Sequence, residues 1–207
     1  MNNPLPAEIL IATHNAGKLR EFQNLLSGFP FALRSLRDFP NVAEVIESGS
    51  SFAENAVLKA RSYSEHTGLW TLADDSGLEV RALGGAPGIF SARYGGDNAT
   101  DAQRMNKLLS ELSRTGDATR RARFVCVIAL TDSASAQVKT FTGTCEGRIA
   151  DEPRGSGGFG YDPIFIPDGY TESFGELSPA IKQLISHRAR SLKAARTFLL
   201  DGFPSLA

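Results

Sequence analysis

The sequence is short of cysteine, of net charge and of long apolar runs, and each shortage excludes a class of protein. It has two cysteines among 207 residues, Cys126 and Cys145, at a spacing unlike any zinc motif. Both lie in strand-like runs, so we expect buried thiols, with a disulfide between neighbouring strands as the alternative. No window approaches the roughly 20 apolar residues that a membrane-spanning helix needs. We therefore expect a protein that does not span a membrane.

The charges are nearly balanced, with 22 lysines and arginines against 23 acidic residues and a formal net charge of -1. A protein that binds a nucleic acid duplex usually carries a basic excess, because neutralising phosphates dominates its affinity. The one local arginine cluster, between residues 114 and 123, is explained by a solvated loop and a strand edge. Residues 1–8 lack the features of a signal peptide. We expect a cytoplasmic protein that binds no nucleic acid.

Short apolar runs alternate with segments of helical periodicity, which predicts an α/β protein. One pair of long strands, 122–131 and 136–146, is joined by residues 132–135 and predicts a hairpin, so the sheet should be mixed. We expect one domain over residues 1–207. Further strands are predicted at 9–12, 31–33, 42–46, 69–73, 78–80 and 163–166, and helices at 18–27, 51–67, 100–113, from 179 onward and at 187–200, which Gly202 should end.

Helix ends are marked by capping patterns. Ser51 and Glu54 stand in the S-x-x-E relation of a capping box, and Gly68 should end the same helix. Thr100 and Gln103 repeat the pattern at the next helix. Residues 84–96, which are rich in glycine, predict a loop.

The first polar cluster is the turn Thr13-His14-Asn15-Ala16-Gly17-Lys18 between a strand and a helix. Backbone N–H groups at such a helix start can bind an anion, and the Lys18 ammonium suits a phosphate. The spacing of a Walker motif is absent. Alternatively, Asn15 only caps the helix and Lys18 is only solvated.

The second cluster is Asp74-Asp75-Ser76-Gly77, predicted as a turn at a strand end. Adjacent carboxylates of an extended chain point to opposite sides, so at most one of them should face a given ligand directly. Mg²⁺ takes one or two carboxylates plus substrate phosphates, although an Asx turn explains many such sequences. Glu54 already has a capping role, and a metal role requires that it face Asp75. Lys59 is interpreted as a surface lysine.

The third cluster is the glycine-rich loop 155–162, together with Lys182, His187 and Arg188. Its glycines fit G-x-G-x-x-G, but a strand follows where a dinucleotide fingerprint needs a helix, so we reject that interpretation. An aromatic ring between glycines, Phe159, can instead lie against a base. A His-Arg pair at a helix start is usually structural or solvated. The prediction of a nucleotide site therefore depends on the combination of the loop with all three downstream residues.

Together these segments resemble the inosine triphosphate pyrophosphatase, or Ham1-like, family. They occur in the family's order and cover nearly the whole chain. The matching segments are Ala12–Lys18, Phe52–Ala56 with Lys59-Ala60-Arg61, Ala73–Leu78, Gly84–Gly88 with Ser91–Tyr94, Gly157–Pro163 and Ser186-His187-Arg188.

The resemblance implies an elongated α/β fold with a central mixed twisted sheet flanked by helices, and two lobes with an active-site cleft between them. It implies hydrolysis of dITP, ITP or XTP to the monophosphate and pyrophosphate by a Mg²⁺-dependent homodimer. The residues it implicates have separate roles. Asp75 would be the proton acceptor and, with Glu54, would bind the metal; the substrate would contact Thr13, His14, Asn15, Ala16, Gly17, Lys18, Ser76, Phe159, Gly160, Tyr161, Asp162, Lys182, His187 and Arg188.

One segment departs from the family pattern, and two other functions stay open. Residues 179–185 are more apolar than the acidic family stretch, although Lys182 keeps its spacing to His187. A pyrophosphatase of the Maf type, acting on modified pyrimidines or methylated nucleotides, would share the metal chemistry. A nucleotide sensor without turnover is the other alternative, against which the intact Asp75 and Glu54 argue.

Overall fold

The computed structural model describes residues 6–132 and 137–200, in which six strands form one mixed sheet flanked by five helices. The sheet order is β2-β1-β3-β4-β5-β6. Strand β1 is parallel to both β2 and β3, whereas β5 and β6 are antiparallel. The α/β class with a mixed sheet is therefore confirmed. The strands are β1 Glu8–Ile11, β2 Ala32–Ser35, β3 Trp70–Val80, β4 Arg121–Thr131, β5 Val138–Ile149 and β6 Phe165–Pro167; the helices are α1 Ala16–Leu25, α2 Phe52–Thr67, α3 Asp101–Ser113, α4 Pro179–Ile185 and α5 His187–Leu200.

The described chain divides into two compact units, each with its own apolar core. The first unit comprises residues 6–75, 126–132, 137–143 and 190–200, and the second comprises 76–125 and 144–189. Most positions of the central strands β3 and β4 are buried, as in strands covered on both faces, whereas the second half of β5 alternates between buried and more exposed positions. The first core includes Ile9, Ile11, Phe22, Leu72, Ile128, Leu192 and Leu199, and the second includes Leu78, Leu108, Phe124, Ile149, Tyr161, Phe165 and Phe174.

Helix boundaries follow the capping residues in the sequence. Helix α2 starts after Ser51, whose side chain accepts a hydrogen bond from the backbone of Glu54, and ends at Gly68 in a left-handed conformation. Thr100 and Gln103 form a full capping box at α3. The predicted hairpin strands are β4 and β5, which are neighbours in the sheet. Residues 133–135 of its connection lie outside the described residues, as does Gly202.

Two predictions of local structure are wrong, and a third is incomplete. Residues 42–46 form no strand; instead, the Val45 backbone N–H donates to the hydroxyl of Tyr63. Residues 74–77 form no turn, because β3 runs without a break from Trp70 to Val80. The segment 84–96 is not a simple loop either, since it contains a 3₁₀ helix over Gly88–Arg93.

Cys126 and Cys145 are both buried as thiols, which confirms the first of the two expectations. Within the two described ranges, no helix is long and apolar enough to cross a bilayer.

The contact between β5 and β6 generates a stability prediction. Gly147 pairs with Pro167, and a Cβ at this glycine would lie 2.3 Å from the carbonyl oxygen of Ile166 and 2.7 Å from the Phe165 ring. We expect Gly147→Ala to lower stability by about 1–3 kcal/mol, as overpacking does. Thermal unfolding should show a melting temperature lower by roughly 2–4 °C per kcal/mol. The exposed neighbour Arg148→Ala is the control, and an equal loss in both variants would contradict the steric explanation.

Candidate active site

The turn between β1 and α1 is ordered by its own side chains. The Asn15 side chain accepts a hydrogen bond from the backbone N–H of Lys18 at 3.0 Å, so Asn15 does cap the helix. The backbone N–H of Asn15 donates to Thr13 Oγ1 at 3.2 Å. His14 Nε2 lies 3.3 Å from the Tyr63 hydroxyl. The predicted turn is therefore present as a capped helix start, and anion binding there stays a prediction.

The Lys18 ammonium is not merely solvated. Its Nζ lies 3.1 Å from Asp74 Oδ2, and the Asp74 side chain is fully buried. The thiol of Cys126 also contacts this oxygen, at 3.9 Å. Asp74 has no role in the predicted site, but its carboxylate thus positions the ammonium of Lys18, the predicted phosphate-binding lysine.

Asp75 contacts a different set of residues, as expected for neighbours on an extended strand. Its Oδ2 accepts a hydrogen bond from Asn55 Nδ2 at 3.1 Å, and its Oδ1 lies 3.7 Å from Lys59 Nζ. Asn55 is fully buried, and its amide oxygen accepts from the Gly49 backbone N–H at 2.8 Å. The start of α2 is therefore tied to the strand that carries Asp75.

Burial raises the pKa of the Asp75 carboxyl, and the positive charges of Lys59 and Lys18 oppose that rise. For Lys59, burial alone would lower the pKa of the ammonium, but the carboxylates of Asp75, Asp74 and Glu47 outweigh it and raise the pKa. Asp75 is thus a buried carboxyl whose affinity for a proton exceeds that of a free aspartate. Such a group is a candidate proton acceptor.

Lys59 and Glu47 are the two residues that the sequence interpretation missed here. The surface assignment of Lys59 is wrong, because the residue is only 9% exposed. Its Nζ lies 2.5 Å from Glu47 Oε1, so Glu47 and Asp75 contact the same ammonium. Glu47 does not belong to any local sequence motif. The signal that could have indicated it is physical: a lysine buried next to Asp75 would need a second anion.

Glu54 has a role different from that of a capping-box glutamate. Its carboxylate accepts hydrogen bonds from the backbone N–H of Ser50 at 2.7 Å and from the Ser50 hydroxyl at 2.9 Å, rather than from Ser51. These two bonds lower the pKa of the exposed Glu54 carboxyl. Among the described residues, no group of three or more His, Cys, Asp or Glu is arranged to hold a metal ion.

In the second unit, Asp162 organises the glycine-rich loop. Its Oδ2 accepts from the Phe159 backbone N–H at 2.7 Å and from Lys182 Nζ at 2.6 Å. A Cβ at Gly158 would lie 2.0 Å from this oxygen, so the close approach requires glycine. The Tyr161 hydroxyl donates to the carbonyl of Ser91 at 2.9 Å, and burial raises the pKa of this hydroxyl.

The other predicted residues of this unit meet around Phe159. Lys182 Nζ lies 4.6 Å from the centre of the Phe159 ring, and Arg188 Cζ lies 5.9 Å from it, both within cation–π range. Arg188 also donates to the Ser76 hydroxyl at 2.8 Å. His187 is buried and stacks on Phe124, with ring centres 4.7 Å apart. The structure therefore brings Ser76, Phe159, Asp162, Lys182 and Arg188 together, whereas His187 packs on an aromatic ring of β4.

A family model described as the Ham1 family matches residues 9–198. The chain belongs to the Ham1 family. Two similar members are dITP/XTP pyrophosphatases: one from Shouchella clausii is 45% identical over 95% of this chain and 98% of that protein, and one from Geobacter sulfurreducens is 48% identical over 92% and 96%. The structure of a HAM1 protein from Coxiella burnetii matches with a TM-score of 0.87 and 45% identity, over 94% of this chain and 98% of that one.

The contact between Asn55 and Asp75 leads to a prediction about how the stability of the protein depends on pH. Asn55→Asp places a second carboxylate against Asp75, whose pKa burial already raises, so the two cannot easily both ionise. We expect Asn55→Asp to be more destabilised at pH 8 than at pH 5, because protonation at the lower pH relieves the repulsion. Asn55→Ala loses the same hydrogen bond without adding charge and should cost about 1–3 kcal/mol. Melting temperatures at both pH values test this, and a constant gap between the two variants would contradict it.

Proposed function

We propose that this chain hydrolyses dITP, ITP and XTP to the nucleoside monophosphate and pyrophosphate, and so keeps non-standard purines out of DNA and RNA. The observation that carries the proposal is the buried Asp74–Asp75 pair with Lys18 and Lys59 against it. It occurs in a chain of the Ham1 family with dITP/XTP pyrophosphatases among its relatives. Phosphoryl transfer depends mainly on positioning and on neutralising phosphate oxygens, which suits such a cluster.

The triphosphate is assigned to the turn Thr13–Lys18. The N-terminus of α1 presents backbone N–H groups, and the Lys18 ammonium adds a positive charge held by Asp74. Asp75 is assigned the role of proton acceptor for the attacking water, because burial raises its affinity for a proton. The water oxygen forms a bond to one of the two phosphorus atoms of the α–β anhydride, and the bond from that phosphorus to the bridging oxygen breaks. The bridging oxygen leaves with the electron pair on the other product, while one proton of the water passes to Asp75.

The nucleoside is assigned to Phe159–Asp162 with Ser76, Lys182, His187 and Arg188. The Phe159 ring offers a flat apolar surface, and Lys182 and Arg188 bring hydrogen-bond donors to it. Hypoxanthine and xanthine carry a 6-oxo group, whereas adenine presents an amine there. A pocket that donates a hydrogen bond at this position rejects adenine, because its own donor would stay unpaired.

A divalent cation, assigned as Mg²⁺, fits the donors around Asp75. They are hard carboxylate oxygens, and Mg²⁺ needs only one or two of them beside substrate phosphates and water. Asp75 and Glu54 are the ligands implied by the family resemblance. Glu47 is a further candidate, because its carboxylate and that of Asp75 contact one ammonium. When bound, the cation would neutralise phosphate oxygens.

The two units are proposed to act as one domain, because a single family model extends over residues 9–198. Strands β3, β4 and β5 each contribute residues to both units. We further propose a homodimer, as the resemblance to the family implies, and a cytoplasmic location, which the two buried free thiols support.

A product assay tests the reaction. The protein is incubated with dITP, XTP, dATP and dGTP in the presence of Mg²⁺, and the products are separated. We expect pyrophosphate and monophosphate from dITP and XTP, with dATP and dGTP hydrolysed far more slowly. Release of orthophosphate would refute the cleavage position, and equal rates on all four would refute the base preference.

Replacement of the proton acceptor gives the next prediction. Asp75→Asn should lower kcat by about 10²–10⁴-fold, the range for loss of a general base. The matched control is Glu79→Gln on the same strand, whose carboxylate pairs with Arg123. It should keep near-normal activity. An active Asp75→Asn protein would remove this residue from the mechanism.

The metal assignment is tested by titrating activity with Mg²⁺. We expect chelation to abolish hydrolysis and a true ligand, when changed to glutamine, to raise the Mg²⁺ concentration for half-maximal activity about tenfold or more. Glu47→Gln and Glu54→Gln are compared in the same titration. A change in one variant alone identifies the second carboxylate, and normal titrations in both would leave Asp75 as the sole protein carboxylate of the site.

A further inference from the structure

We propose that Asp101 is a positioning residue for base selection, through a hydrogen bond that fixes the peptide between Phe159 and Gly160. This inference rests on the proposed function, because it takes the loop around Phe159 as the nucleobase pocket. Asp101 belongs to none of the clusters that the sequence analysis identified, and it lies 59 residues before Gly160 in the chain.

The contact is direct. Asp101 Oδ2 accepts a hydrogen bond from the backbone N–H of Gly160 at 2.8 Å. Gly160 itself has a φ of +62°, a conformation that side-chain-bearing residues rarely adopt. The loop is therefore bent at this residue, and the carboxylate of Asp101 holds the bent peptide from outside the loop.

The carboxylate is itself held in place. Asp101 Oδ1 lies 2.5 Å from Arg104 Nη2, one turn further along α3. The other terminal nitrogen of Arg104 donates to the carbonyl oxygens of Ala92 and Ala99 at 2.7 and 2.6 Å. An acceptor locked in this way can set the position of the peptide it binds, as supporting residues of precise sites do.

Helix capping does not account for this arrangement. An aspartate in the first turn of a helix is favourable for the helix dipole, so α3 could use Asp101 for that purpose alone. The cap of α3, however, is formed by Thr100 and Gln103, which satisfy each other's backbone N–H groups. The two Asp101 oxygens are directed instead to Arg104 and to the loop.

Phe159 is consequently anchored on both sides. Its own N–H is bound by Asp162, and the next N–H along the chain is bound by Asp101. Two anchors on consecutive peptides restrict the backbone of Phe159, whose ring Lys182 and Arg188 approach. Loss of the Asp101 anchor should let the ring move, while the residues assigned to the triphosphate keep their contacts.

Base selectivity is the readout that separates this role from a merely structural one. A variant that only unfolds more easily lowers the concentration of active enzyme and reduces kcat/KM for every substrate by the same factor. A loosened base loop reduces the discrimination between bases, so the ratio of kcat/KM for dITP to that for dGTP falls. The ratio does not depend on how much of the protein is folded.

The experiment compares the wild-type protein with Asp101→Ala, Asp101→Asn and Thr100→Ala. We expect Asp101→Ala to lower the dITP/dGTP ratio about tenfold, as displacements of around 1 Å in a site can do. The change should fall mainly on KM for dITP. Asp101→Asn keeps a side-chain oxygen for the Gly160 N–H and should restore most of the ratio. Thr100→Ala weakens the same helix and should lower the melting temperature with an unchanged ratio.

The outcomes distinguish a failure of the role of Asp101 from a failure of the proposed function. An unchanged ratio in Asp101→Ala, or an equal fall in Thr100→Ala, overturns the role of Asp101 and leaves the proposed function intact. Wild-type protein that does not prefer dITP to dGTP overturns the proposed function, and the inference falls with it.

Discussion

The burial of two adjacent carboxylates on one strand is the constraint on which the first unit depends. Asp74 and Asp75 are almost completely buried, and an ionised carboxylate without partners is very costly in such a place. The extended backbone sends the two side chains in opposite directions, so each carboxylate has a different lysine as its nearest cation. Lys18 at the start of α1 and Lys59 in α2 are the separate solutions. The start of α1 and the middle of α2 are thereby tied to β3.

The helices could be predicted well because the contacts that begin and end a helix lie within a few residues of each other in the sequence. Ser51 with Gly68, and Thr100 with Gln103, mark the limits of α2 and α3 through contacts within a few residues. The break predicted at Asp74–Gly77 failed for the opposite reason. These residues favour turns when isolated, but β3 continues through them beside its neighbour β4, and the surrounding sheet overrides local preference.

Sequence motifs indicated residues of the candidate site only where the motif is local. The turn Thr13–Lys18 and the residues around Phe159 were found from glycine spacing, helix starts and the family resemblance, and the structure shows them as ordered groups. Glu47 and Asp101 could not be found in this way. Glu47 contacts Lys59, twelve residues away, and Asp101 contacts Gly160, much further along the chain. Such contacts have no sequence period, because they depend on how elements pack.

The charges around Asp75 suggest why the proposed reaction would need a divalent cation. Asp74, Asp75 and Glu47 bring three carboxylates to a cluster that holds two ammonium groups, Lys18 and Lys59. One formal negative charge remains when all five groups are ionised, which would repel a triphosphate. A raised pKa at Asp75 reduces this excess without reversing it, because a protonated Asp75 leaves the cluster neutral. A single divalent cation, when bound, would change the sign of the cluster's net charge while Asp75 stays ionised and able to accept a proton. Asp75 would then be able to serve as the base, because the cation offsets the repulsion between its carboxylate and the triphosphate.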